Sequence, residues 1–583
     1  MSLLKILKNL VTYKEPKDTE GFEFIEDENE YAGNEKQYET VQKKDKSEVE
    51  KNPGAKKTPL DIDEWNEIRE KKADDKELFD ADTVALNLTL NIERMKKEFN
   101  IPKNLDAIIR EFKVARNIDA FILYIEGMTD KNTINDFILR PLMDSDHFEH
   151  LKEDCINDYI IDNVLSINKV TKESKYEKII QSVLSGMTAL FIDGCRECLI
   201  IENQNYEKRA VEKPVAERAI RGSHEGFSES MRTNITLIRK IIKNKDLITE
   251  IIPADKTNRT NCALLYIEGI ANPKIINEVK RRIKNLDIDF ISASGMLEEL
   301  ISDHPMTLFT QILTTERPDR AASNIMNGKI ILITDGSPYV SSLPTTFFES
   351  LQSPEDYFLK WQFATFLRYL RLFAVLIALL LPGLYTAVTL FHQEMIPTEL
   401  LSSIVKSRED VPFPTVLEMV FMEISFELIR EGGIRVPEVI GNTLGIVGAL
   451  ILGQAAIQAQ LVSPMLIIIV AVVGISSFAI PSYTTAFEIR ILRFAFIFLG
   501  ALTGFYGILI LLVIILGLAC NLKSFGVQYF APIAPKIKVS SGVISSLPVY
   551  KQKQRTDYVN PLNKHRSGKV TEKWKKGKDD DSK

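Results

Sequence analysis

Residues 372–392 read LFAVLIALLLPGLYTAVTLFH, a stretch without a single Asp, Glu, Lys or Arg. About 20 predominantly apolar residues suffice for a helix to cross the hydrocarbon core of a bilayer. The sequence on either side is of two kinds. Up to about Arg371 it is that of a water-soluble protein; from Leu372 to Leu522 it is largely lipid-soluble; after Lys523 it turns polar and ends in a basic tail. Three further segments are long enough to span, at 440–458, 462–480 and 494–521, the last with possible breaks at Gly504 or Gly507. The chain is therefore expected to be polytopic.

A fifth segment, 415–430, mixes apolar residues with Glu418, Glu423, Glu427 and Arg430. At 100° per residue, Glu423, Glu427 and Arg430 fall in one narrow stripe opposite Leu417, Val420 and Phe421. Such a helix either lies at the interface with its carboxylates in water or lines an aqueous path, because ionisable groups at membrane depth face a bundle interior or a cavity. Gln454 and Gln458, one turn apart in the second span, need partners in lipid. Glycines 441, 445 and 448 in that span permit close helix packing. The candidate polar lining is thus Glu423, Glu427, Arg430, Gln454 and Gln458.

The net charge of −6 over 583 residues hides an acidic beginning and a basic end. Residues 1–90 are charged and short of aromatics, too polar to offset chain entropy by burial, so disorder is expected there. Lys5 and Lys8 interrupt any apolar signal core, though Leu3, Ile6, Leu7 and Leu10 share one helical face. Five cysteines argue against a disulfide framework. Cys195 and Cys198 form a lone CxxC without the further ligands a zinc site requires. Lys and Arg before the first span and after the last place both ends on the cytoplasmic side, which favours an even number of crossings. The tail is either solvated or drawn to anionic headgroups.

The soluble half contains a duplication. Phe121-Ile-Leu-Tyr-Ile-Glu-Gly127 matches Ala263-Leu-Leu-Tyr-Ile-Glu-Gly269, and Ser185-Gly-Met-Thr-Ala-Leu-Phe-Ile-Asp-Gly194 matches Asn327-Gly-Lys-Ile-Ile-Leu-Ile-Thr-Asp-Gly336. Gly127 maps to Gly269 and Asp193 to Asp335, an offset of 142 residues in both blocks. Short apolar strands alternating with helical pattern predict an α/β module of two duplicated subdomains, followed by an all-α membrane domain of four to five helices. The expected divisions are 1–90, an acidic extension; 91–215, the first subdomain; 216–245, a connector helix region; 246–358, the second subdomain; 359–535, the membrane domain; and 536–583, the basic tail. Glu126, Glu268, Asp193 and Asp335 sit at strand ends, where α/β folds bind ligands and where Asp-Gly also simply turns the chain. No phosphate-binding loop or hydrolase motif is present. An interaction or sensing module, without enzymatic activity or cofactor, is expected.

The residues resemble a known family, the A subunits of bacterial spore germinant receptors. The likeness rests on Tyr266-Ile-Glu-Gly-Ile-Ala-Asn-Pro-Lys274, Thr315-Glu-Arg-Pro-Asp-Arg320, Leu343-Pro-Thr-Thr346, Gln352-Ser-Pro-Glu-Asp-Tyr357, Leu381-Pro-Gly-Leu-Tyr385, Glu394-Met-Ile-Pro397, Glu423-Ile-Ser-Phe-Glu427, Gly453-Gln-Ala-Ala456 and Ser524-Phe-Gly-Val-Gln-Tyr-Phe-Ala-Pro-Ile-Ala-Pro535. It implies a multi-pass protein of the spore inner membrane, with both terminal regions on the core side. It also implies a nutrient-binding, transporter-like B subunit, a lipoprotein C subunit, membrane lipids and further A subunits as partners, and no nucleic acid. Family A subunits are thought to assemble into a cation channel; a similar paralogous branch accompanies dipicolinic acid release. Candidate assembly or coupling residues are Arg317, Asp319, Arg320, Glu268 and Asp335. A secondary transporter and a non-conducting scaffold are the rival readings.

Overall fold

The computed structural model describes residues 82–144, 148, 156–205, 214, 217, 219–435, 453–537 and 542–566. The acidic extension up to residue 81, Cys155, residues 440–452 of the second expected span and the tail beyond 566 lie outside them. The described residues of Glu15–Arg209 and Ile235–Ile251 form one compact unit; those of Ala210–Asn234 and Ile252–Lys583 form another.

In the first unit, helix α1 (Leu88–Glu98) precedes strands β1 (Ala107–Val114) and β2 (Ile118–Ile125). Strand β3 (Val170–Glu173), helix α2 (Tyr176–Leu184) and strands β4 (Thr188–Ile192) and β5 (Cys198–Ile201) complete it. The strand order is β1-β2-β4-β5-β3, and the pairings are antiparallel. Successive side chains of a strand point to opposite faces, and here both faces are covered. Phe121, Leu123 and Ile125 pack with α1 and α2, while Ala120 and Ile122 pack against residues of the 134–165 region. That explains why β2 is apolar almost throughout. The core reaches back to Val84 and Leu88, so this subdomain starts before residue 91.

One further piece of the unit follows helix α3 (Met231–Ile241), where Arg239 is 2% exposed. Its Nε and Nη2 donate to the two Asp106 oxygens at 2.6 and 2.8 Å. Thr249, on strand β6 (Leu247–Pro253), donates its hydroxyl to the same carboxylate at 3.1 Å.

The second unit repeats the pattern with strand β7 (Asn261–Ile267), helices α4 (Pro273–Lys284) and α5 (Ser294–Ile301), strand β8 (Leu313–Thr315), helix α6 (Pro318–Met326) and strands β9 (Ile330–Thr334) and β10 (Val340–Leu343). The register demonstrates the duplication. Ala120 faces Ile192 and Cys262 faces Thr334; Leu190 faces Leu199 and Leu332 faces Ser341; Glu173 faces Cys198 and Thr315 faces Val340. Each pair maps onto its counterpart by the same 142-residue offset.

The antiparallel pairing corrects the α/β expectation: these are not parallel crossover units. An apolar strand buried on both faces is spaced identically in either kind of sheet, so the pattern alone does not distinguish them. The correction also separates the strand-end carboxylates. Because β2 and β4 run in opposite directions, Glu126 and Asp193 lie at opposite ends of the sheet, as do Glu268 and Asp335. Asp193 Oδ1 accepts from the Leu88 amide at 3.1 Å and Asp335 Oδ1 from the Met231 amide at 3.2 Å. Each thus satisfies an otherwise orphan N–H at the start of its subdomain's first helix. Their role in the fold is that of helix caps.

The apolar part begins with helix α7 (Trp361–Phe391), the one described helix long and apolar enough to cross a membrane. It is longer than the expected first span and carries Pro382 inside it. Helices α8 (Thr398–Arg408), α9 (Thr415–Arg435), α10 (Pro464–Phe478), α11 (Tyr483–Thr503) and α12 (Phe505–Asn521) follow. The expected long last span is two helices. They meet at Gly504, whose φ of +65° and ψ of −142° are open only to glycine without strain. A Cβ on Gly383 would lie 2.8 Å from the Phe496 carbonyl oxygen, and one on Gly500 2.7 Å from that of Gly383. The two glycines therefore let α7 and α11 touch backbone to backbone.

Both ends of the apolar part return to the second subdomain. Arg368 and Arg371 of α7 clamp the buried Asp356 at 2.9 Å. After α12, the hairpin of β11 (Lys523–Ser524) and β12 (Val527–Gln528) follows; its Ser524 hydroxyl donates to the Gln311 carbonyl at 2.6 Å. Residues 553–562 also dock there. Tyr558 donates to Glu349, Arg555 Nε to the Met326 carbonyl at 2.9 Å, and the Leu562 amide to the Ile270 carbonyl at 3.0 Å. This part of the expected free tail is built into the second unit.

Glu298 on α5 accepts from the Ser341 hydroxyl at 2.7 Å, and burial pushes its carboxyl up to about 7. Between pH 4.5 and 7 the folded form holds a proton that the unfolded chain releases. Stability therefore falls as pH rises through that window, by on the order of 3 kcal/mol. Glu298→Gln keeps an acceptor for Ser341, and is expected to remove the slope and stabilise the protein above pH 7. Hydrogen exchange of the β10 amides in the full chain, measured from pH 5 to 8 and corrected for intrinsic rates, checks this.

Candidate functional site

The most distinctive chemistry lies among the apolar helices. Glu423 and Glu427 are one turn apart on α9, with Arg430 a further turn along the same face. Arg490 and Arg493 stand three residues apart on α11, a spacing that aims them at a facing helix in the same way. The structure brings all five together. Arg493 lies 2.9 Å from Glu423 and 3.0 Å from Glu427; Arg490 reaches the other Glu427 oxygen at 3.0 Å, and Arg430 reaches Glu427 at 3.3 Å. The Glu423 side chain is 0% exposed and that of Arg493 1%.

Three guanidinium groups face two carboxylates, and among the described residues the set is incompletely bonded. Neither Glu423 oxygen has a well-aligned hydrogen bond, and Arg493 Nε and Arg430 Nε have no partner among the described residues. Arg430 also donates to the Ser477 hydroxyl of α10 at 2.7 Å and lies 4.7 Å from the Phe478 ring centroid. Arg490 lies 4.4 Å from that of Phe487. Glu427, Arg430 and Arg490 border a cleft of about 260 Å³. A buried ion pair gains less from its own attraction than it loses to desolvation unless its remaining groups are satisfied. Removing either partner of this contact between α9 and α11 alone is therefore costly, because it leaves a buried charge uncompensated.

Two more carboxyl side chains tie this region together. Glu418, at the other end of α9, pairs with Arg408 of α8 at 3.2 Å and accepts from the Ser463 amide at 3.1 Å. Glu488 lies two residues before Arg490 and five before Arg493 on α11. It accepts from the Thr310 amide at 2.7 Å and from the Thr310 hydroxyl, and so fastens α11 to the second subdomain.

Glu423, Glu427 and Arg430 thus meet at one place, but as members of one ion-pair cluster in which Glu423 is buried and Glu427 and Arg430 are partly exposed. Gln454 and Gln458 are exposed on a helical turn at 453–458. No hydrogen bond or ion pair among the described residues joins them to the cluster. The coupling candidates also divide. Arg317 donates to Asp319 at 3.0 and 2.6 Å and to the Glu217 carbonyl at 3.3 Å; Arg320 pairs with Glu217 and donates to the Gln352 carbonyl at 3.1 Å. Arg317 and Arg320 are buried, and these partners lie in the same chain. Glu268 and Asp335 are exposed at opposite ends of the sheet. Sequence reasoning missed Arg490 and Arg493, because the last span was placed just after them. Their three-residue spacing inside an apolar stretch, opposite in sign to the Glu423/Glu427 pair, was the available signal.

The chain as a whole is similar to known proteins. The profile of the Bacillus/Clostridium GerA spore germination protein family matches residues 93–558. Spore germination protein KA of Bacillus subtilis (strain 168) is 38% identical over 489 residues, 83% of this chain and 89% of that protein. The uncharacterized membrane protein YfkQ of the same organism is 40% identical over 417 residues, covering 71% of this chain and 80% of that one. Spore germination protein GerLA of Bacillus cereus is 37% identical over 414 residues, covering 71% and 84%. A crystal structure of the N-terminal domain of the A subunit of the Bacillus megaterium spore germinant receptor GerK3 aligns with 46% of this chain and 97% of its own, at 29% identity and a TM-score of 0.37. The chain belongs to the GerA spore germination family.

Arg493→Leu leaves Glu423 buried without a cation and is expected to destabilise the protein by about 3–5 kcal/mol. The double replacement Glu423→Leu with Arg493→Leu is expected to recover most of that loss. Thermal unfolding of the four proteins of this cycle in lipid nanodiscs measures the coupling; additive effects would show that the two side chains do not interact.

Proposed function

We propose that this chain is the A subunit of a nutrient-responsive germinant receptor. In this reading its apolar helices line an oligomeric, ligand-gated channel for monovalent cations in the spore inner membrane. A transporter-like B subunit binds the nutrient, and a lipoprotein C subunit completes the receptor. Family membership supports the receptor assignment. The observation that carries the channel reading is the incompletely bonded charge cluster between α9, α10 and α11.

In the resting arrangement Arg490 and Arg493 neutralise Glu423 and Glu427. An opening motion of α11 exchanges those pairs for water and leaves carboxylates beside the path, where they attract cations. Nutrient binding drives this only as far as the partner binds the open arrangement more tightly than the closed one. The second subdomain transmits the bias through Thr310 and Glu488. Because α7 starts from that subdomain and α12 returns to it, an even number of crossings and core-side terminal regions are part of the proposal.

One feature favours a second reading. The carboxylates are already paired within the chain, as a non-conducting scaffold would require. Current across a bilayer separates the two. The assembled receptor is expected to pass a nutrient-dependent cation current. Glu423→Gln with Glu427→Gln is expected to change that current by about tenfold, the effect of ~1.4 kcal/mol on an opening equilibrium. Glu488→Gln should weaken the nutrient dependence while leaving the cluster intact. A receptor that assembles, binds nutrient and passes no current is a scaffold.

A further inference from the structure

The loop between α5 and β8 carries apolar side chains that no part of the described chain covers: Met306 is 66% exposed and Leu308 47%. The loop is closed on itself. Gln311 Oε1 accepts from the His304 amide at 3.0 Å, and Gln311 Nε2 donates to the His304 carbonyl at 2.9 Å. The Thr307 amide donates to that same carbonyl at 3.2 Å. The tip is therefore held in shape while its apolar groups point outward.

Its base is fixed against the apolar helices at three points. Thr310 bonds Glu488 in the second turn of α11. Asp303 Oδ2 accepts from the Phe525 amide at 2.5 Å, four residues after the end of α12, and Arg282 clamps Asp303 Oδ1 at 2.6 Å. Phe309 packs with Ala519, Leu522 and Tyr529. The tip thus stands at the level where α11 begins and α12 ends. Beside the exposed polar Thr484 and Asn521 at that level, the helices present a mostly apolar surface: Tyr483, Phe487 and Ile491 on α11, and Val513 and Leu516 on α12, are each at least 42% exposed.

We propose that residues 305–308 form a membrane-surface anchor, with Met306 and Leu308 seated between the headgroups and upper acyl chains of the bilayer next to α11 and α12. The occupant is lipid because the apolar tip continues the apolar helix surface from which it is hung. This rests on the membrane reading of α7 to α12. It gives the Thr310–Glu488 link a mechanical meaning: the loop holds the subdomain to the bilayer at the point where it grips α11.

The experiment uses the full chain in nanodiscs of phosphatidylethanolamine and phosphatidylglycerol. The photoreactive residue p-benzoylphenylalanine replaces Met306, Leu308 or Val513 in separate proteins. After illumination, lipid adducts are counted by mass spectrometry. Adduct yields at 306 and 308 within about threefold of that at 513 are expected, as for interfacially buried side chains. Adducts at 513 with none at 306 and 308, or crosslinks from 306 to a second copy of the chain, overturn the anchor and leave the membrane reading standing. No lipid adduct at any of the three positions overturns both.

Discussion

An ionised side chain among apolar helices needs an opposite charge within a few ångströms, and the apolar part of this protein is arranged around that constraint. Arg493, almost wholly inaccessible, sits between Glu423 and Glu427, and Arg490 and Arg430 close on Glu427 from either side. Three helices are thereby fixed to one another at one level, α9 and α11 by ion pairs and α10 through Ser477. At the other end of α9, Glu418 also accepts from the Ser463 amide at the start of α10, and apolar packing joins the helices between these levels. A contact of this kind suits a two-state device. It penalises any intermediate in which one partner is buried alone, and it favours either the fully paired state or one in which water reaches both sides.

The second subdomain is bonded to the apolar helices at several points. The second subdomain is a sheet whose strands are buried, joined to the apolar helices at the Asp356 clamp on α7, at Thr310 on α11, and at Ser524 and Phe525 after α12. Tyr558 donates to Glu349, which also holds Lys329 at 2.5 Å, so the chain beyond the apolar helices reinforces the same subdomain. Glu488, which holds Thr310, stands two and five residues before Arg490 and Arg493 on α11, so the junction with the subdomain lies close to the ion-pair cluster.

The duplication was the most legible feature of the sequence. A constant offset between two separated blocks leaves little freedom, and every strand pair that can be compared obeys it. Strand direction was not legible, because β2 and β7 are apolar on both faces and such runs look alike in parallel and antiparallel sheets. The Glu423, Glu427 and Arg430 stripe could be read from helical periodicity alone. Arg490 and Arg493 carried a signal in their spacing, but their pairing with this stripe could not be read, since they lie more than sixty residues away in sequence and no local rule links the two. The division at Gly504 depended on a backbone conformation that a glycine permits without demanding. The docking of residues 553–562 was hidden by the basic tail in which they lie, which suggests solvent although Arg555 spends its guanidinium on backbone carbonyls.

The central claim is that α9 and α11 separate when the receptor opens. Spin labels at the outward-facing positions Ile424 on α9 and Ile491 on α11, in an otherwise cysteine-free receptor reconstituted in lipid, report that distance by double electron–electron resonance. The account requires a narrow distribution at rest that shifts or broadens when nutrient is added, in step with cation current. An unchanged distribution in a receptor that is carrying current would contradict it.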